Sequence, residues 1–235
     1  MQYINRTHAP TIGEGVYTIP DVSRVLSIAP SSAKRWLDGY WKSVRGERSR
    51  GSALAVEGTW GYGSERAINF YALIELFMVA ALREAGNSLQ QIRRAREELT
   101  LQFGTRYPFA SHKILSDGRK MAVVFGGLSD RIVLELGGKN QTALRDFVEP
   151  FCLKLKFSLE TKLAESYWPL GVNRTIVVSP YHAFGRPVIA GTNITTEVIY
   201  RLLESGEHDE DVVNEYEITS SNIADVREFE GSRAA

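Results

Sequence analysis

Tyr17-Thr18-Ile19-Pro20-Asp21-Val22-Ser23-Arg24-Val25-Leu26-Ser27-Ile28-Ala29-Pro30-Ser31-Ser32-Ala33-Lys34-Arg35-Trp36-Leu37 reads as helix, tight turn, helix. Thr18 suits an N-cap, Asp21 stands three residues on in the reciprocating position, and Pro20 falls in the first turn, where a missing N–H does no harm. Ile19, Val22, Val25 and Leu26 share one side of the first helix. Ile28 starts the turn, Pro30 suits the first position of a second helix, and Ala33, Trp36 and Leu37 give that helix a single apolar stripe. Its other face carries Ser31, Ser32, Lys34 and Arg35. Hydroxyls and cations at the N-terminal end of the second of two short helices are what a major-groove reader needs, so the stretch predicts DNA binding. The plain alternative is a helical hairpin with a solvated basic face.

Outward from this core, Ser43 to Ser64 is rich in Gly, Ser and Arg, with Trp60 and Tyr62 between glycines. It reads as the wing of a winged helix-turn-helix or as a surface linker. From Asn69 the period is helical: Phe70, Leu73, Ile74, Phe77, Met78, Ala81 and Leu82 recur at three- and four-residue steps and Gly86 closes the run. This helix is a candidate dimer seam, with core packing as the alternative. Ser88 and Gln91 form a second capping box ahead of a helix to about Phe103 that is expected to expose Arg93, Arg94, Arg96, Glu97 and Glu98.

The stretch from Tyr17 to Leu37, with Leu82-Arg83-Glu84-Ala85-Gly86-Asn87-Ser88-Leu89-Gln90-Gln91-Ile92 after the wing, resembles MerR-type regulators over roughly Tyr17 to Leu99. The chain departs from that pattern where Ser27 replaces the usual turn Gly and Ala29 the usual Ser cap, a loss worth roughly 1 kcal/mol.

Beyond Pro108 the signals are those of strands: His112 to Leu115, Lys120 to Phe125 and Arg131 to Leu136, separated by Ser116-Asp117-Gly118-Arg119 and Gly126-Gly127, predict an antiparallel meander. A short helix from Thr142 to Pro150 and strand-like stretches near Leu155, Tyr167 and Ile176 to Val178 follow. In the last third, Gly185 and Gly191 bracket an extended run in which Pro187 suits an edge strand. Thr195 or Thr196 can cap a helix bearing Val198, Ile199, Leu202 and Leu203. Asp209 starts a second with Val212, Val213 and Tyr216, and Thr219 caps a third with Ile223, Val226 and Phe229.

Gly185-Arg186-Pro187-Val188-Ile189-Ala190-Gly191-Thr192-Asn193-Ile194, a helix, an acidic short helix ending in Tyr216 and a third helix together resemble the bacterial domain of unknown function 433. That resemblance implies a VapB-type antitoxin whose partner is a PIN-like ribonuclease toxin. Asn193 stands where the family usually has Arg and Thr195 where it has Pro. Carried over by position, Ser220, Ser221 and Asn222 open the third helix as a possible second DNA contact.

The expected architecture is α+β: a winged helix-turn-helix over residues 1–104, a β-rich connecting region over 105–171 and a three-helix module over 172–235. Lys+Arg and Asp+Glu balance at 28 each. Their distribution does not, because Lys34, Arg35, Lys42, Arg45, Arg48 and Arg50 cluster near one end, while Glu204, Glu207, Asp209, Glu210, Asp211, Glu215 and Glu217 form a run without a cation. The basic cluster is assigned to operator DNA and the acidic run, with Glu204, Glu207, Asp209 and Asp211, to a toxin. A homodimer is expected, since one short helix reads too few base pairs.

Cys152 is alone, so neither an intramolecular disulfide nor a cysteine-rich zinc site is possible, and no apolar run reaches the ~20 residues of a membrane span. A cytoplasmic location is expected. His8, His112, His182 and His208 are dispersed, no glycine-rich phosphate loop is present, and Glu97 and Glu98 read as a solvent face. Catalytic residues, metal ligands and cofactors are therefore expected to be none. The rival function is a MerR-like, ligand-responsive transcriptional regulator without a toxin partner.

Overall fold

In the computed structural model, the residues described are 13–111 and 150–231, apart from 45, 46, 52, 55, 62, 85 and 152; within 40–51 and at 64 the backbone alone is described. Strand β1 (Tyr17–Thr18) runs into α1 (Ile19–Leu26), which opens on the expected capping box: Thr18 N–H donates to Asp21 Oδ2 at 3.0 Å and Asp21 N–H to Thr18 Oγ1 at 3.4 Å. The helix ends where Ser27 turns left-handed at φ 54°, and Ser23 Oγ donates to the Ile28 carbonyl across the turn at 2.5 Å. Helix α2 (Pro30–Asp38) starts at Ala29 with no side-chain cap and buries Ala33, Trp36 and Leu37. The serine at 27 thus takes the conformation in which glycine is usual, and it does so within a hydrogen-bonded turn.

Strands β2 (Tyr40–Val44) and β3 (Glu47–Gly51) form an antiparallel ribbon with Tyr40 opposite Gly51 and Val44 opposite Glu47. Strands β4 (Thr59–Trp60) and β5 (Ala67–Ile68) complete a small sheet in the order β1-β5-β4. Arg66 binds Asp38, tying this sheet to the end of α2. The segment after α2 is therefore wing-like in its backbone pairing.

Helix α3 (Phe70–Glu84) opens on Asn69, whose Oδ1 accepts from Ala72 N–H at 2.8 Å. Gly58 is required beside it: at φ 69°, a Cβ there would lie 2.3 Å from Asn69 Nδ2. Phe70, Leu73, Ile74, Leu76, Met78, Val79 and Leu82 are all fully enclosed by this chain, so α3 is a core helix and not a free dimer seam. Helix α4 (Leu89–Phe103) carries the second capping box, with Ser88 N–H donating to Gln91 Oε1 at 2.7 Å and Gln91 N–H to Ser88 Oγ at 3.2 Å. Its Arg96 is not on the solvent face as expected. It stands on the stripe Ile92, Ala95, Arg96 and Leu99 and is buried, its Nε donating to Glu75 Oε2 of α3 at 2.5 Å.

The expected strands at 112–115, 120–125 and 131–136 and the helix from 142 lie outside the described residues, as does Cys152; only Pro150 and Phe151 at that helix's end are described as helical. Strands β6 (Leu155–Phe157) and β7 (Ala164–Tyr167) pair antiparallel. They pack on the first core, where the Phe77 ring lies 4.4 Å from that of Phe151 and 4.9 Å from that of Tyr167.

Strand β8 (Ile176–Val177) pairs antiparallel with β9 (Val188–Ile189), and three helices follow: α5 (Thr196–Glu204), α6 (Asp209–Tyr216) and α7 (Ser220–Gly231). They enclose a second core of Ile176, Ile189, Ile199, Val212, Ile218, Ile223, Val226 and Phe229. Thr195 holds the cap position of α5 without a side-chain bond, and Thr196 Oγ1 donates instead to Glu230 Oε1 at 2.5 Å. Asp225 of α7 clamps the start of β8, accepting from Arg174 Nε, Thr175 N–H and Thr175 Oγ1, each at 2.7 Å. The architecture is α+β.

Candidate nucleic-acid interface and C-terminal module

On α2, burial of Ala33, Trp36 and Leu37 against α1 turns Ser31, Lys34 and Arg35 outward, while Ser32 is half-buried. The ribbon follows at once. Its register puts Lys42 opposite Ser49, Arg48 opposite Ser43 and Arg50 opposite Trp41; Arg45 lies outside the described residues. The chain thus brings the α2 cations and the arginine-bearing ribbon into one continuous segment, with the two-helix frame held behind by the α3 core.

Behind that frame Glu75 pairs with Arg96, the residue of the two that the sequence pattern assigns to solvent. Glu75 also accepts from Phe109 N–H at 2.7 Å, and Arg96 Nη2 donates to the Arg106 carbonyl at 2.8 Å. Burial pushes the Glu75 carboxyl above its ordinary value, and the Arg96 guanidinium and the Phe109 amide pull it part of the way back. Two signals were present in the sequence: Arg96 sits on an apolar stripe, and Glu75 is the lone charge between Phe70 and Leu82.

In the C-terminal module, Ser220 and Ser221 are exposed at the start of α7, but Asn222 is buried. Its Oδ1 accepts from Thr219 N–H at 2.8 Å and Thr219 Oγ1 at 2.9 Å, closing the helix cap, so Asn222 does not face a ligand. Glu204, Glu207, Asp209 and Asp211 are all exposed. The acidic run gains a cation that sequence order hid: Arg227 of α7 binds Asp209 through both terminal nitrogens at 2.6 and 2.8 Å. Those bonds hold the Asp209 carboxyl below its ordinary value, against a smaller opposing effect of desolvation. His182 is exposed, and the described residues contain no group of three potential metal ligands. None of the helices among them is long and apolar enough to cross a membrane.

The helix pair and the C-terminal module meet. Val16 N–H donates to the Phe184 carbonyl at 3.1 Å, and Arg24 of α1 lies 3.6 Å from Asp21 and 3.5 Å from Glu197 of α5. Gly185, at φ 91°, must be glycine here, because a Cβ would lie 2.4 Å from the Tyr17 hydroxyl. Ala183 and Phe184 also have positive φ, 45° and 57°, a conformation that costs about 1–3 kcal/mol for a residue other than glycine. Burial, with a smaller effect of the Asp21 carboxylate, raises the Tyr17 hydroxyl well above its ordinary value, and that hydroxyl has no hydrogen-bond partner among the described residues. Between the helix pair and this turn is a cleft of about 370 Å³. Sequence reading noticed Gly185 but not the cleft, because its walls come from residues more than 150 positions apart.

Residues 176–229 match the family described as "Protein of unknown function (DUF433)", and residues 15–96 match that described as "Putative DNA-binding HTH domain". The chain thus joins a DUF433 segment at its C-terminal end to a DNA-binding helix-turn-helix segment at its N-terminal end. It is 24% identical over 225 residues, 89% of this chain and 91% of the relative, to a protein of Mycobacterium tuberculosis (strain ATCC 25618 / H37Rv) named "Putative antitoxin VapB45". An uncharacterized protein of the same organism, Rv2308, is 23% identical over 223 residues, covering 91% of this chain and 89% of that one. The crystal structure of Rv2018 from M. tuberculosis superposes with a TM-score of 0.68 at 21% identity, covering 89% of this chain and 96% of that one, which shows a shared fold.

Proposed function

We propose that the chain is a DNA-binding antitoxin of a type II toxin–antitoxin pair, which neutralises a PIN-like ribonuclease by direct binding and represses its own operon from the cytoplasm. What carries this reading is the union, in one chain, of a helix pair with an outward cationic face and a folded module with acidic outer helices. The near full-length likeness to a protein bearing an antitoxin name supports it.

In this reading Ser31, Lys34 and Arg35 meet base edges and nearby phosphates, with Ser32 at the margin. Lys42, Arg48 and Arg50 of the ribbon, together with Arg45, neutralise phosphates. Two copies read two half-sites about one helical turn apart. Glu204, Glu207 and Asp211 draw in a basic ribonuclease and screen its RNA-binding surface, with Asp209 contributing less because Arg227 already holds it. Ser220 and Ser221 stay available for a secondary contact. The chain acts by binding, without catalysis, metal or cofactor.

The test is co-purification with the product of the adjacent gene, followed by titration of the complex and of the free chain against upstream DNA at two salt concentrations, because phosphate contacts dominate affinity. A complex that binds this DNA and silences RNA cleavage is expected. Specific DNA binding without any partner would replace the antitoxin reading with the ligand-responsive regulator, and failure of both would refute both.

A further inference from the structure

Helix α3 is consumed by its own core, so the seam of a dimeric DNA reader must lie elsewhere. The 183–185 turn offers an unusual surface. Phe184 is 77% exposed and Tyr181 66%, with Val16 beside them at 39%. Large aromatics next to a guanidinium are the composition of interface anchors, and Arg186, exposed on the same turn, has no side-chain partner among the described residues. The turn is not a loose loop: two non-glycine residues hold positive φ there, and the Val16–Phe184 backbone bond pins it to the start of the helix pair.

The exposed ring forms one wall of the cleft of about 370 Å³, which Val16, Val25 and Pro187 also line and which carries Asp21, Arg24, Arg186 and Glu197. An exposed aromatic knob and a recess with apolar walls and charged groups therefore lie side by side. Their charges also pair by sign: Arg24 sits between the two carboxylates on the helix wall, Arg201 holds the far side of Glu197 at 2.5 Å, and Arg186 stands on the turn wall. Asp21 and Glu197 balance Arg24 and Arg186, so the lining has no net charge. A nucleic acid gains nothing from such a surface, and two carboxylates repel it. A second copy gains twice, because a two-fold rotation brings knob to recess and Arg186 to the carboxylates in both directions.

We infer that this face is the homodimer seam: Phe184 of each copy enters the cleft of the other, and each Arg186 meets the other's Asp21 and Glu197. The inference rests on the reading of the chain as a dimeric DNA reader. Because β1 and α1 line the seam, it also fixes the separation of the two α2 helices and hence the half-site spacing.

Sedimentation equilibrium of the full chain, without DNA or partner, tests it in wild type, F184A, F184Y and R186E. Since all the altered side chains are exposed, thermal midpoints are expected to match wild type, which separates dissociation from misfolding. The expected result is a wild-type dimer whose dissociation constant rises at least about 30-fold in F184A, rises in R186E and stays close to wild type in F184Y. A wild-type monomer, or a dimer indifferent to F184A and R186E, overturns the seam. So does an F184A protein that stays dimeric but no longer retains the adjacent gene product, since the face would then belong to that partner. A dimer that these variants dissociate but that binds no DNA leaves the seam standing and removes the DNA-reading function alone.

Discussion

Replacing Glu75 by Leu takes the carboxylate from a guanidinium with 7% side-chain exposure and deprives Phe109 N–H of its acceptor at 2.7 Å. Breaking a buried pair from one side costs about 3–5 kcal/mol, and an orphaned amide adds about 1–3 kcal/mol before relaxation. The two losses share one site and do not simply add, so about 4 kcal/mol is expected, a large part of the roughly 5–15 kcal/mol that holds a typical domain. For a chain of this length that corresponds to a fall in Tm on the order of 10 °C. Glu75→Leu with Arg96→Leu removes both charges, leaving chiefly the Arg106 carbonyl and Phe109 amide to find water. Its cost is expected to be well below that of either single change. Urea unfolding followed by circular dichroism, on the two single variants and the double, measures the coupling. If Glu75→Leu costs under about 1 kcal/mol, or the double costs the sum of the singles, the pair is not the buried lock described here.

Lys34→Ala with Arg35→Ala is expected to weaken operator binding and to lower the slope of log affinity against log salt by up to about 2, read by fluorescence anisotropy across a salt series. An unchanged slope would take these cations off the phosphates. Asn222→Ala should cost about 1 kcal/mol through its lost cap bonds while Ser220→Ala stays near wild type in thermal melts. Equal effects would contradict the cap geometry. Burial pushes the Asp225 carboxyl up, but bonds from Arg174 and Thr175 outweigh it and hold the group below its ordinary value. Its contribution is therefore present above the unfolded value of about 3.9 and is lost as pH falls through the lower folded value. Unfolding free energy measured from pH 5 downward should fall less steeply in Asp225→Asn than in wild type; parallel curves would refute the assignment.

The helix pair was legible because its instructions are local. Thr18, Asp21, Pro20 and Pro30 act within one turn of themselves, and the stripes Ile19-Val22-Val25-Leu26 and Ala33-Trp36-Leu37 need only the helical period. The helices of the C-terminal module were legible from their apolar period, although α5 and α6 start without a side-chain cap bond and α7 alone of the three forms one. Contacts across the chain were not. A polar residue is assigned to solvent by default, so Arg96 was placed outside although its stripe pointed in. Asn222 was read as a surface polar group because its position suited a contact, whereas its reach to Thr219 makes it a cap. The cleft and the Asp209–Arg227 and Arg24–Glu197 pairs depend on how α1, α5, α6 and α7 dock, which no local spacing encodes.

The first core is not closed by the residues that begin it. Phe77 of α3 is covered by Phe151 and Tyr167, and Tyr167 exchanges backbone hydrogen bonds with Val178, both at 2.8 Å. During synthesis, the helix pair and α3 leave the ribosome well before their cover does. At typical elongation speeds, the stretch from the end of α4 to Val178 takes roughly 4–15 s to make. For that interval the Phe77 side of α3 lacks the cover that Phe151 and Tyr167 give it. A chain cut after the helix-turn-helix would keep that face open for good, which makes chaperone demand and aggregation of such fragments a direct outcome of chain order.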